Sequence, residues 1–300
     1  MQRRTLWVAG AAALISLPLL APALSAQGVP IKTEDMPLTK DLGLPTGLDV
    51  TPAWEGWYPN PDGTATIYFG YYNRNRQEVM NIPVGSDNQV TVDGEVLADA
   101  GQPTVFDARR NYGVFGVTVP GDFAGEVVWA LKHDGRTFSV PGSLNPVWMT
   151  DQLAGDADGD FPPTMMFTEN GAGFRGPGGQ WATQTRTVAV GQPVDITVWG
   201  SRIRPEGEGA AEPEPTGGRG GGNRGFRVEW ELHAGPGHVT FSPPSGTIDN
   251  AGGMATTSAT FDAPGSYVVR LTASQGSVAA NGHSQCCWTN GYVRVTVTGR

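Results

Sequence analysis

The sequence predicts an all-β protein: two β-sandwich domains in tandem behind an N-terminal signal peptide. Three observations carry that expectation. Apolar and polar residues alternate over stretch after stretch, the period of a half-buried strand, and no segment sustains the helical period. Forty-three Gly and 24 Pro in 300 residues accompany many Val, Thr and aromatic residues, a composition of short strands joined by turns rather than of collagen or general disorder. Asp-Gly pairs close such runs in "VTVDG" and "KHDGRTF", and that pair is a hairpin-turn signature.

Taken in order, residues 1–26 read as the signal peptide. Arg3 and Arg4 precede the apolar "LWVAGAAALISLPLLAPAL", and "ALSA" before Gln27 is a small-residue cleavage site. Pro18 and Pro22 and the short apolar core argue against a membrane anchor. The arginine pair leaves the twin-arginine route open as the minor alternative to ordinary secretion. The mature chain is expected to be secreted or periplasmic, with no membrane insertion. Residues 27–50 are polar and Pro-spaced, a mostly irregular lead-in with a strand as the alternative at its end.

Residues 51–143 read as the first sandwich. In "TATIYFGYY", Ala65, Ile67, Phe69 and Tyr71 share one face; in "EVVWALKHDGRTFSV", Val127, Trp129 and Leu131 do. Residues 144–184 form a Pro/Gly-rich connection containing "NPVW", "DADGDFPP", "GAGFRGPGG" and the strand-like patch "TMMFT". Residues 185–300 are the clearest sandwich. "FRVEWEL" turns Val228, Trp230 and Leu232 inward and Arg227, Glu229 and Glu231 outward, and "SYVVRLTAS" and "YVRVTVT" alternate in the same way. The insertion 203–225 is Gly, Pro and Glu with almost no apolar residue, so it is expected to be disordered.

The run "VEWELHAGPGHVTFSPPSG…TTSATFDAPGSYVVRLTAS…VRVTVT" resembles an immunoglobulin-like domain of the polycystic-kidney-disease (PKD) type found in bacterial exported proteins. Trp230, Phe261, Pro264, Gly265, Tyr267, Val269 and Leu271 carry the resemblance in order. It covers the last third of the chain and implies fold more than function, since such domains act mostly as non-catalytic spacers, adhesion modules or binding domains. Assigning strands in immunoglobulin order puts 226–232 beside 238–241. The enlarged loop after 199 and the loop carrying Cys286 and Cys287 then share one pole. The chain enters at that pole, which would bring the first domain there and leave either interdomain packing or a composite cleft. His233 and His238 are expected at the opposite pole.

Three groups of residues are candidates for chemistry. Cys286 and Cys287, the only cysteines, are a candidate disulfide ring, with an intermolecular bridge, a soft-metal site with His283, and one incidental buried cysteine as alternatives. Asp156, Asp158 and Asp160 have alternating carboxylates suited to calcium, but Phe161 and Phe167 stand where an EF-hand needs Gly and Glu. Trp54, Trp57, Tyr58, Tyr71, Tyr72, Arg74 and Arg76 concentrate aromatics and cations that suit a sugar or peptide surface, against the plainer reading of a sandwich core. For catalysis there is no GxSxG, HExxH or P-loop motif.

A net charge of −9 disfavours nucleic acid and anionic membranes. The preferred reading is a non-catalytic binding, adhesion or scaffold protein without a required cofactor, its partner an extracellular protein or polysaccharide. The alternatives are an accessory metal-handling or redox protein using the cysteine loop, and a hydrolase built on the first domain.

Overall fold

A computed structural model describes residues 44–155, 160–203, 225–275 and 286–299. The signal peptide, most of the lead-in, Asp156, Asp158, His283 and residues 204–224 of the insertion lie outside the described residues. The fold is all-β, and the two sandwiches belong to one compact unit.

Nine strands build the first sandwich: β1 (Val50–Pro59), β2 (Thr64–Asn73), β3 (Met80–Asn81), β4 (Asn88–Val92), β5 (Glu95–Leu97), β6 (Val105–Phe106), β7 (Arg109–Pro120), β8 (Val127–His133) and β9 (Arg136–Gly142). Its sheets have the orders β1-β2-β7 and β5-β4-β8-β9, with β3 and β6 paired separately. Both Asp-Gly signals become tight hairpins: Asp93, Gly94, Asp134 and Gly135 all have positive φ, as the twist-matched two-residue turn requires. Ile67, Phe69, Phe115 and Trp129 fill the core between the sheets, with the Phe115 and Trp129 rings edge to face at 4.9 Å.

A bulge between Trp54 and Gly56 re-phases β1. Trp54 and Trp57 therefore both pack against the first core, whereas Tyr58 joins Tyr68 and Trp288 in a separate cluster. The sheet β1-β2-β7 thus has two apolar faces, one for its own core and one for the second sandwich.

The second sandwich contains β10 (Thr164–Met166), β11 (Gln180–Trp181), β12 (Arg186–Ala189), β13 (Pro193–Ser201), β14 (Gly225–Ala234), β15 (Val239–Ser242), β16 (Ser245–Asp249), β17 (Gly253–Phe261), β18 (Gly265–Ser274) and β19 (Trp288–Thr298). Its sheets are β10-β13-β17-β15 and β11-β19-β18-β14-β16, with β12 also pairing β19. Trp230, Phe261, Tyr267, Val269, Leu271 and Val293 lie in its core, in the immunoglobulin-like arrangement. Two corrections apply. The segment 238–241 pairs with β17 in the opposite sheet, and it is the unanticipated β16 that flanks β14. Part of the Pro/Gly-rich connection, β10 and β11, is built into these sheets.

The first sandwich does not sit at the pole. It lies against the outer face of β14-β18-β19, as the burial of β19 records: Trp288 through Val293 are buried on both faces, and only then do exposed and buried residues alternate. Among the described residues no helix is long and apolar enough to cross a membrane, which says nothing of a β-barrel.

Candidate functional site

The junction between the sandwiches has a closed part and an open part. In the closed part, polar side chains from the outer face of β14-β18-β19 find partners in the first sandwich. Tyr292 Oη donates to Val114 O at 2.8 Å, and Asn290 Nδ2 donates to Gly113 O at 2.6 Å and Pro177 O at 2.7 Å. The Thr104 amide donates to His233 O at 3.0 Å, and His233 Nε2 lies 2.8 Å from Gly101 O. His233, expected at the far pole, is thus a junction residue. Burial and the Arg270 cation push it down to about 3, so it is neutral and donates from Nε2 to the carbonyl.

Arg270 pairs with Glu231 beside Tyr71, Asp107 and Tyr292. Asp107 is pushed up by burial and then by Glu231. Glu55 is also pushed up, by burial that outweighs Arg110 bonded at 2.6 Å. Trp288 plugs the centre. Gly113 has φ +45°, and a Cβ there would collide with the Trp288 ring and crowd Pro177. Glycine is required there for space as well as conformation.

The open part is a groove where the β1–β2 turn, the end of β7 and the connection meet. Its first hollow, about 350 Å³, is lined by Tyr58, Pro59, Asn60, Pro61, Met149, Thr150, Asp151, Leu153 and Ala154. The second, about 510 Å³, shares Tyr58, Asn60, Pro61 and Leu153 with it and adds Thr66, Thr164, Phe174, Arg175 and Gln180. The third, about 560 Å³, shares Asp62, Thr64 and Thr118 with the second and ends at Asp122. The local sequence explains the turn: in "NPDG", Gly63 takes φ +85°, the Asn60 amide donates to Thr64 O at 2.8 Å, and Asp62 Oδ1 accepts from Thr64 Oγ1 at 2.6 Å. That bond, with the Thr64 amide donating to the same oxygen at 3.0 Å, holds the Asp62 carboxyl below its usual range. The Tyr58 ring is a wall rather than a platform. Its hydroxyl accepts from Gly178 N at 3.0 Å, and burial raises its pKa to about 12.

The aromatic and cationic candidates of the first domain do not form one surface. Tyr58 and Tyr71 are each 2% exposed. Tyr58 pairs with Thr66 and Tyr72 with Thr51, which separates the two groups by roughly 20 Å of hairpin. Arg74 and Arg76 are exposed at the Tyr72 end. Trp54 and Trp57 are half-buried under a 3-10 turn at Pro146–Trp148. Trp57 Nε1 donates to Asn145 O at 2.7 Å, and the Trp54 ring lies 5.1 Å from that of Trp148, tilted by 36°.

Cys286 and Cys287 are joined to each other as a disulfide. While that ring is closed neither sulfur is a thiolate ligand or nucleophile. Asp160 pairs with Arg202, and no group of three metal-ligating side chains occurs among the described residues. The groove residues Asn60, Asp62, Thr118, Arg175 and Gln180 were not anticipated. Only the "NPDG" turn announces any of them, because three segments distant in sequence build the wall.

No family model and no curated protein matches the chain. Among solved structures it is similar to the D0-D1 domain of Intimin, with 16% identity, 83% of this chain and 97% of that chain covered, and a TM-score of 0.26. The D00-D0 domain of Intimin gives 11% identity, 83% and 100% coverage, and the same TM-score of 0.26. Similarity at this level carries no weight for function, which has to be argued from the groove.

Proposed function

We propose that this chain is an exported, non-catalytic binding protein whose ligand site is the groove at the junction of its two sandwiches. One observation carries the reading. Elsewhere the described junction is largely packed and hydrogen-bonded, whereas here residues of both sandwiches and of the connection line three adjoining open hollows. Concave surfaces at domain junctions are favoured places for ligands. The packed part keeps the walls from moving apart, so ligand binding meets a site already formed and loses little to ordering. Export rests on the signal-like residues 1–26.

The chemistry of the groove favours binding over turnover. A general acid working near neutrality needs a raised carboxyl pKa. Asp62 is shifted the other way. The carboxyls that are raised, Glu55 and Asp107, line none of the three hollows and face arginines in the packed junction.

The test is binding of a mixed oligosaccharide and peptide panel to the mature protein and to Thr118→Trp. Thr118 is exposed and lines both the second and third hollows, so the indole would fill their junction. Binding that this variant abolishes supports the groove; binding that it leaves intact overturns it.

A further inference from the structure

We infer that the groove binds a linear, neutral polysaccharide, an assignment that rests on the groove being the ligand site. The first argument is shape. Three hollows of about 350, 510 and 560 Å³ adjoin, each sharing lining residues with the next. Each is the size of a small-molecule site. Set side by side in series they suit a chain of repeating units rather than one compact ligand.

Chemistry supplies the second argument. The middle of the groove presents neutral hydroxyl and amide side chains, among them Thr118, Thr164 and Gln180. Hydroxyls and amides both donate and accept, as the hydroxyls of a sugar do. Thr118 is held from behind: its Oγ1 lies 3.4 Å from that of Thr66, which is buried and receives a bond from Asn60 Nδ2 at 3.0 Å. At one end Pro59, Pro61, Met149 and Leu153 supply apolar ledges of the kind the C–H face of a pyranose ring can cover.

Charge narrows the class. Asp62, Asp122 and Asp151 line the groove against a single Arg175. Like-charge juxtaposition suppresses wrong partners, so uronate, sulfate and phosphate polymers are disfavoured. A polypeptide is the competing linear ligand. It binds most simply by adding to a free strand edge; β7 and β11 end their sheets, which is why peptides are an arm of the test, but the edges of β1 and β10 beside the groove are taken. Trp57 O already accepts from Thr150 N at 2.8 Å, and Met165 exchanges both main-chain bonds with Phe174.

Isothermal titration of the mature protein with neutral hexose and N-acetylhexosamine oligomers of two to eight units tests the assignment. Oligomers carrying uronate at the same lengths and extended peptides serve as the other arms. Affinity is expected to rise about tenfold or more from two units to the length that fills the groove, a gain of about 1.4 kcal/mol, and then to level off. Thr118→Trp should remove that gain while thermal melting stays unchanged, and Gln180→Ala should remove part of it. Uronate oligomers that bind more tightly, and are blocked by Thr118→Trp, would leave the groove standing and overturn the neutral class; peptides that do so would overturn the glycan. Neutral oligomers that bind without length dependence would overturn the linear chain. If no probe shows binding sensitive to Thr118→Trp, the groove and the glycan fall together.

Discussion

The closed and open parts of the junction are made of similar residues put to different use. Both draw on Asn, Thr, Tyr and Arg side chains. In the closed part Asn290 commits its amide to two carbonyls and Tyr292 its hydroxyl to a third, and both side chains are buried. In the open part Thr118 and Gln180 are exposed and line the hollow. A buried polar group is costly unless its partners are built in, so the first set specifies how the sandwiches meet. The second set keeps hydrogen-bonding capacity for something that arrives. Residue type does not separate structure from function here; the location of the partners does.

The largest expected effect comes from breaking the closed part at its centre. Trp288→Ala removes a ring that is 1% exposed and packs with Tyr58 and Tyr68, and should cost about 3–5 kcal/mol. Denaturant unfolding checks it; a loss below about 1 kcal/mol would mean that the junction is not tightly packed. Next comes the Arg270–Glu231 pair. Arg270→Met leaves Glu231 and Asp107 without their cation. The Arg270 side chain is 10% exposed but that of Glu231 is 37%, so solvent screening tempers the loss to about 1–3 kcal/mol. Adding Glu231→Leu should recover part of it, and a double mutant no better than the single would show that the two residues are not coupled.

This comparison explains what could be read from sequence. Most longer strands of both sandwiches were legible, because their core faces alternate: Val228, Trp230 and Leu232, or Ala65, Ile67 and Phe69. The partner of the outer face was not. Glu231, Arg270 and Asn290 follow the pattern of solvent-facing residues, and nothing in a period of two says that another domain will cover them. β1 was missed as a strand because a bulge at its centre and two aromatic pairs hide the alternation. β16 is short and lies in a Pro/Gly-rich stretch that reads as a loop. The groove was illegible for a further reason: it exists only once residues 58–66, 118–122, 149–154 and 164–180 come together.

A smaller effect separates the two parts by pH. His233 has its folded pKa pushed from 6.5 down to about 3, so the unfolded chain binds the proton more readily. Its contribution is fully present above pH 6.5 and is lost as pH falls toward 3, by up to about 1.4 kcal/mol per unit. Glu55 and Asp107, raised in the folded state, act in the opposite sense, since folding favours their protonated forms. His233→Gln keeps an amide donor for Gly101 O and removes only the imidazole term. The fall of its unfolding free energy with acid should therefore be shallower than that of the parent. Parallel curves would mean that His233 is not neutral against Gly101.

The smallest expected change in stability is in the open part, and its smallness is informative. Thr118 and Gln180 are exposed. Replacing either by Ala deletes no core packing, so unfolding free energy should move by no more than about 0.5 kcal/mol. A loss above about 1 kcal/mol at Gln180 would make it a tie between sandwiches like Asn290, and the groove would be an incompletely closed seam. Near-zero cost together with lost binding is the opposite signature: polar groups that folding does not use and a ligand does. The contrast with Trp288→Ala, measured on the same junction under the same conditions, then places scaffold and site on the two sides of one interface.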